Sequence, residues 1–153
     1  MNNFQELKNV KTGNNTVINS FVNLYDCVIG DDCMIGTFVE IQKNVVLGNR
    51  VKIQSHSFVC EGVVIEDDVF VGHGVVFAND KYPRAVNPDG SAKKDGDWKL
   101  EPIVVRRGAS IGSNVTIVGP VVIGENSMVG AGAVVTKNVN PGTTVVGIPA
   151  RER

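Results

Sequence analysis

From Ile29 to Phe77 every sixth residue is apolar: Ile29, Ile35, Ile41, Leu47, Ile53, Val59, Ile65, Val71, Phe77. A second register lies four residues after each of these and holds mostly small residues: Cys33, Val39, Val45, Val51, Ser57, Val63, Val69, Val75. Gly often follows the first register, at Gly30, Gly36, Gly48 and Gly72. A period of six is neither the 3.6 of a helix nor the 2 of a half-buried strand. It predicts a parallel β-helix built on a six-residue repeat. Each hexad supplies a short extended piece and a turn. Three hexads close a triangular coil, and coils stack at the parallel-strand spacing of about 4.8 Å.

The pattern has a start, an interruption and a resumption. Residues 1–16 are polar, with Asn2, Asn3, Asn9, Asn14 and Asn15, and read as an irregular entry capping the first coil. Val17 fits the first register carried backwards but Asn23 does not, as expected for a terminal repeat. After Phe77 the pattern stops. Residues 78–102 carry Pro83, Pro88, Asp89-Gly90, Asp95-Gly96 and Pro102, and read as a long inserted loop. Loops of that length in a compact domain are usually functional or disordered, and Tyr82, Trp98 and Leu100 give this one something to dock with.

The register resumes at Val105, Ile111, Ile117, Ile123, Val129 and Val135, with Ala109, Val115, Val121, Ser127, Ala133 and Val139 as its small partners. Phe77 and Val105 are 28 apart, not a multiple of six, so the loop is an insertion rather than a degenerate coil. The turn-rich stretch from Pro141 to Arg151 closes the last coil. The expectation is one domain over residues 1–153, with about six coils.

Composition narrows the functional classes. Aromatics are only 6% of the 153 residues, which suits stacked Val and Ile layers rather than a core built on rings. A formal net charge of −1 gives no basic field for nucleic acid or an anionic membrane. No apolar run approaches the roughly 20 residues that span a bilayer, and residues 1–11 hold no signal-peptide core, so the expected location is cytoplasmic. Three cysteines argue against a disulfide framework. Cys27 and Cys33 fall in inward registers, while Cys60 follows an inward residue and is expected to line an outer face. Two histidines cannot supply a three-histidine zinc site, and no Cys pair has zinc spacing, so no metal is expected.

The 18-residue coil turns spacing into geometry. Lys43, Glu61 and Asn79 are 18 apart and form one outer column whose last member opens the long loop. Such stacking leaves about 5 Å between neighbours, room for a carboxylate and an amide oxygen to hold one amine. An exposed Lys–Glu pair below an ordinary turn residue is the plainer reading of the same column. His56 and His73 are 17 apart and belong to adjacent columns; each is a corner residue or a general base. Arg106, Arg107, Lys137 and Arg151 lie near the later coils, where they serve cofactor phosphates or simply meet solvent. Gly130 to Gly132 form a rim that backbone-hugging ligands can approach.

The repeat, the loop and the ending Val129-Gly130-Ala131-Gly132-Ala133-Val134-Val135-Thr136-Lys137, then Val146-Gly147-Ile148-Pro149-Ala150-Arg151, resemble the hexapeptide-repeat acyltransferases. That resemblance implies a left-handed parallel β-helix; handedness does not follow from the period. The usual family ending has Asn where this chain has Ile148. The segment from Lys52 to Asp80, with Tyr82-Pro83-Arg84, is similar to N-acetyltransferases of nucleotide-linked 3-amino sugars (UDP- or dTDP-linked) in O-antigen synthesis. The likeness implies acetyl-CoA as co-substrate and homotrimers with sites between subunits. It places Glu61 and Asn79 at the acceptor amine as catalytic residues, with Asp80, Tyr82, Arg84, His56 and Lys43 also binding the sugar nucleotide. His73, Arg107, Gly130, Ala131, Gly132, Lys137 and Arg151 are then expected around the cofactor. Some relatives have His where this chain has Lys43. Two other readings stand beside this one: an O-acetyltransferase with His56 or His73 as base, and a non-enzymatic β-helix scaffold.

Overall fold

The computed structural model describes residues 4–153, and among these no helix is present. Short strands wrap into a three-faced prism. Face 1 has seven parallel strands, from Gln5–Lys8 to Val134–Val135. Face 2 has six, from Lys11–Thr12 to Val121–Ile123. Face 3 begins at Val17–Ile18 and ends in a hairpin, where Thr144–Val146 pairs antiparallel with Arg151–Glu152.

Both inward registers are buried as the pattern requires: Ile35, Ile41, Ile53, Ile65 and Phe77 are at 0% exposure. Each such side chain contributes roughly 1.5–3 kcal/mol relative to exposure. Two polar residues sit among them. Ser57 Oγ donates to the Gly72 carbonyl at 2.9 Å, and Ser127 Oγ donates to the Gly124 carbonyl at 2.7 Å, so neither hydroxyl is stranded.

The first coils differ from the expectation. Residues 5–16 are not an irregular cap but form a coil: Gln5–Lys8 and Lys11–Thr12 pair in register with Val22–Tyr25 and Val28–Ile29. The prism therefore has seven layers on face 1 rather than about six coils in all. These first coils are 17 residues long, since Lys11 pairs Val28 and Val17 pairs Met34. One residue fewer shifts the inward position, so Leu24 is buried and Asn23 faces out. Likewise Val17 is 56% exposed while Ile18 packs on the core. Cys60 also departs from the reading: it is 3% exposed and inside.

Three corners join the faces, and each turns through a left-handed residue. Asn9, Asp26, Asn44 and Gly62 do so between faces 1 and 2. Asn15, Asp32, Arg50, Asp68, Gly108, Asn126 and Gly142 do so between faces 2 and 3. Asn, Asp and Gly suit this conformation because their small or locally bonding side chains relieve the Cβ clash. The insertion leaves from the first of these corners, between Val76–Ala78 on face 1 and Ile103–Val105 on face 2.

Candidate active site

The column of Lys43, Glu61 and Asn79 stands on the corner between faces 1 and 2. Lys43 Nζ is 3.6 Å from Glu61 Oε2, and the Glu61 side chain is 19% exposed. Asn79 Nδ2 donates to the Glu61 backbone carbonyl at 2.9 Å. That bond engages one of the amide's two N–H groups and fixes its orientation, and Asn79 Oδ1 remains as an acceptor. Asn44 Nδ2 donates to Glu61 Oε1 at 3.3 Å, and Gln42 Oε1 accepts from the Glu61 N–H at 3.2 Å.

The loop is moored to the same corner. Glu101 N–H donates to the Asn79 carbonyl at 2.8 Å, closing the loop at its root. Leu100 covers Gly62, where an added Cβ would lie 3.2 Å from Leu100 Cδ2. Asp95 reaches over and accepts from Lys43 Nζ at 2.5 Å, which raises the lysine's pKa. Between these moorings the loop organises itself. Val86 and Ala92 form an antiparallel bridge, and the Asp97 carboxylate accepts from Lys94 N–H and Asn87 Nδ2. Asp80 accepts from Tyr82 N–H at 2.9 Å. Tyr82, at 74% exposure, and Arg84 point away from the core.

Tyr25 extends the column downward and was not singled out from the sequence. It immediately precedes the corner residue Asp26, as Lys43 precedes Asn44 and Glu61 precedes Gly62. Burial first, then the Glu40 carboxylate, raises its hydroxyl pKa. The charged groups around it are Glu40, Glu61 and Asp95 against Lys43. Three carboxylates against one ammonium make the corner net acidic.

The remaining candidates lie elsewhere. His56 sits on the corner between faces 3 and 1, at the far end of strand Phe58–Val59 from Glu61. His73 shares that corner; its Nδ1 is 2.9 Å from Ser55 Oγ, and Ser113 Oγ accepts from its backbone N–H at 3.2 Å. Gly130 and Ala131 border a groove of about 330 Å³ with Phe70, Ser110 and Met128. Gly132, at φ 71°, follows on the His73 corner.

Arg107 is on the opposite corner and already engaged. Its guanidinium donates to Asp67 Oδ2 at 2.9 Å and its N–H to Glu66 Oε2 at 2.9 Å, while Arg106 pairs with Glu66 at 2.6 Å. Lys137 and Arg151 line a cavity of about 180 Å³ near the closing hairpin. One chain thus gathers Lys43, Glu61, Asn79 and Asp80, but spreads the cofactor candidates over separate edges.

Comparison with known proteins gives the family. A model described as bacterial transferase hexapeptide (six repeats) matches residues 9–43, 26–61, 44–79 and 102–137, leaving out most of the loop. The chain is 32% identical over 142 residues to the bifunctional protein GlmU of Synechococcus sp. (strain CC9311), covering 92% of this chain and 28% of that protein. It is 41% identical over 59 residues to the galactoside O-acetyltransferase of Escherichia coli (strain K12), covering 39% of this chain and 29% of that one. The chain therefore spans less than a third of these curated relatives. Among solved structures, a hexapeptide-repeat acetyltransferase from Vibrio cholerae O1 biovar eltor, complexed with acetyl coenzyme A, is 28% identical. It aligns with a TM-score of 0.55, over 92% of this chain and 67% of that one. An AntD N-acyltransferase variant from Bacillus cereus, in complex with dTDP and coenzyme A, shares the fold. Its TM-score is 0.66 at 19% identity, over 94% of this chain and 82% of that one.

Proposed function

Because the chain belongs to the bacterial hexapeptide-repeat transferase family, we propose that it is an acetyl-CoA-dependent N-acetyltransferase acting on the amine of a nucleotide-linked amino sugar. The 28%-identical relative complexed with acetyl coenzyme A supports the cofactor. The observation that carries the amine is the acidic corner. Glu61 and the free Oδ1 of Asn79 are acceptors, which suit an N–H-bearing group, and the surplus of carboxylates draws a cation rather than a neutral hydroxyl. In this reading the acceptor's ammonium displaces Lys43 from Glu61, and Lys43 stays with Asp95. The amine sheds a proton to water, and its nitrogen attacks the thioester carbonyl. The C–N bond forms, the C–S bond breaks, and the departing thiolate takes up one of the two protons left on nitrogen, the other staying on the product amide.

The scattered cofactor candidates support a site shared between copies, and a homotrimer is part of the proposal. Face 2 supports it further: Val28, Val46, Val64, Val104 and Val122 stand in one outward row, in register across five strands. That row borders the Glu61 corner, so a copy packed there would wall the site.

The test is CoA release with a panel of UDP- and dTDP-linked amino sugars, repeated with Asn79→Ala. The variant is expected to lose about 10²-fold in turnover and to keep its oligomeric state. Wild-type-like turnover at saturating substrate would remove Asn79 from the reaction. An O-acyl reading has its own support in the Ser55–His73 pair, which fixes one ring nitrogen and leaves Nε2 for a hydroxyl. It predicts turnover on hydroxyl acceptors and a rate that collapses with His73→Ala but not with Asn79→Ala.

A further inference from the structure

The corner between faces 3 and 1 is built differently from the other two. Its first four left-handed positions are Phe4, Phe21, Phe38 and His56, at φ 44°, 60°, 60° and 64°, before Gly74, Asn114 and Gly132 take over in the later coils. A bulky side chain is a true outlier there, and such strain costs roughly 1–3 kcal/mol per residue. The rings do not recover that by entering the core, since Phe4, Phe21 and Phe38 are 65%, 51% and 53% exposed. They pack on one another instead. Phe4 and Phe21 stack at 5.2 Å between centroids, Phe21 and Phe38 at 5.4 Å, and His56 caps Phe38 at 4.9 Å with a 41° tilt. The result is a surface ladder of four rings, one per coil.

The ladder stops at a missing tooth. The next position in register above His56 is Gly74, two residues before Val76, which pairs with Phe58. Gly74 has no side chain, and Asn114 one layer further fills only the inner end: its Oδ1 lies 2.6 Å from where a Gly74 Cβ would be. No ring therefore stands over His56 at the Gly74 layer, which leaves a gap in the ladder. Its floor is an exposed aromatic face continuing three rings below, and its back wall is an amide that donates and accepts hydrogen bonds.

We propose that this gap is a binding slot for a planar heteroaromatic base, stacked on His56 and read at its edge by Asn114. The inference deepens the nucleotide-sugar reading and rests on it. His56 and Glu61 are five residues apart along one extended segment, at most about 18 Å. A sugar nucleotide laid across face 1 reaches from the slot to the acidic corner. The adenine of CoA carries the same chemistry, and the His73–Gly132 edge adjoins the slot, so the experiment separates the two sources.

Binding of UMP, dTMP, 3′,5′-ADP and ribose 5-phosphate is measured by calorimetry for wild type, His56→Asn and His56→Phe. Asn adopts the left-handed conformation readily, so His56→Asn keeps the corner and removes the ring; an unchanged melting temperature verifies this. The expected result is about a tenfold loss of UMP and dTMP affinity in His56→Asn, recovery in His56→Phe, and no change for ribose 5-phosphate. A loss confined to 3′,5′-ADP would support the slot and assign it to CoA. Unchanged binding in both variants, with wild type still turning over amino-sugar nucleotides, would overturn the slot and leave the function standing. Dissociation of the assembly by His56→Asn without loss of nucleotide affinity would also overturn it, making the ladder an interface. If wild type binds no nucleotide, the slot and the nucleotide-sugar reading fall together.

Discussion

Cys60 shows how one position changes character inside this fold. It adjoins Glu61 in sequence, yet its side chain is buried and burial pushes its thiol up to about 12. Cys27 rises to about 11, again chiefly by burial. A thiol whose pKa lies above the solution pH stays protonated, and the thiolate is the nucleophile. At pH 8 the native protein is expected to react with iodoacetamide at least about tenfold more slowly than the unfolded chain, which should expose three free thiols. Mass spectrometry of the alkylated protein checks this, and rapid native labelling of Cys60 would mean that the corner beside Glu61 opens. The sequence misplaced Cys60 because its register assigned an inward or outward side to two of every six positions only. It found the Lys43–Glu61–Asn79 column because an 18-residue coil converts spacing into stacking. Tyr25, 18 residues before Lys43, lies on the same spacing, but a phenol carries neither the charge nor the amide that marks the other three members of the column. The sequence could not show that Asn79 Nδ2 donates to the Glu61 carbonyl, since side-chain direction is absent from a spacing rule.

The insertion is the element whose ends were legible and whose docking was not. The break in period marks its limits, because an interrupted ladder must leave and re-enter at a corner. Its moorings join residues far apart in sequence: Asp95 meets Lys43 at a separation of 52, and Leu100 meets Gly62. No local pattern encodes such pairs. The two moorings differ in strength. The Lys43–Asp95 pair is partly solvated, with Asp95 at 74% side-chain exposure, and exposed pairs contribute little. Leu100 on Gly62 is the apolar anchor, and it holds the arm over the acidic corner. Leu100→Ala is expected to raise tryptic cleavage at Lys93, Lys94 and Lys99 about tenfold, while the melting temperature of the prism shifts by no more than about 2 °C. Loop opening of this kind is local and leaves the stacked coils intact. A melting temperature that falls steeply instead would make the loop part of the cooperative core.

At the scale of the whole molecule, the prism leaves its outer faces to be explained. Its interior is filled mostly by stacked Val, Ile and Leu, and a body this thin keeps much of its apolar surface outside. On face 2 the outward valines are continuous, with Val28 and Val46 each 43% exposed. Around this row stand Glu66, Asp67 and Arg107, which line a shallow cavity of about 360 Å³ with Val46 and Val64. An apolar centre with a charged rim is the anatomy of a subunit interface. Val46→Asp tests whether face 2 is one. Val46 points outward, so the substitution leaves the inward ladders untouched and the monomer should fold with unchanged circular dichroism. In a cyclic assembly it brings a carboxylate into every interface, where desolvation and like-charge repulsion cost several kcal/mol. Sedimentation velocity at micromolar concentration is expected to show wild type as a trimer and Val46→Asp largely as monomer. Acetyl transfer should fall at least about tenfold with it, because a site walled by a neighbour loses that wall. A trimeric Val46→Asp would move the interface off face 2, and a fully active monomer would place the whole reaction on one chain.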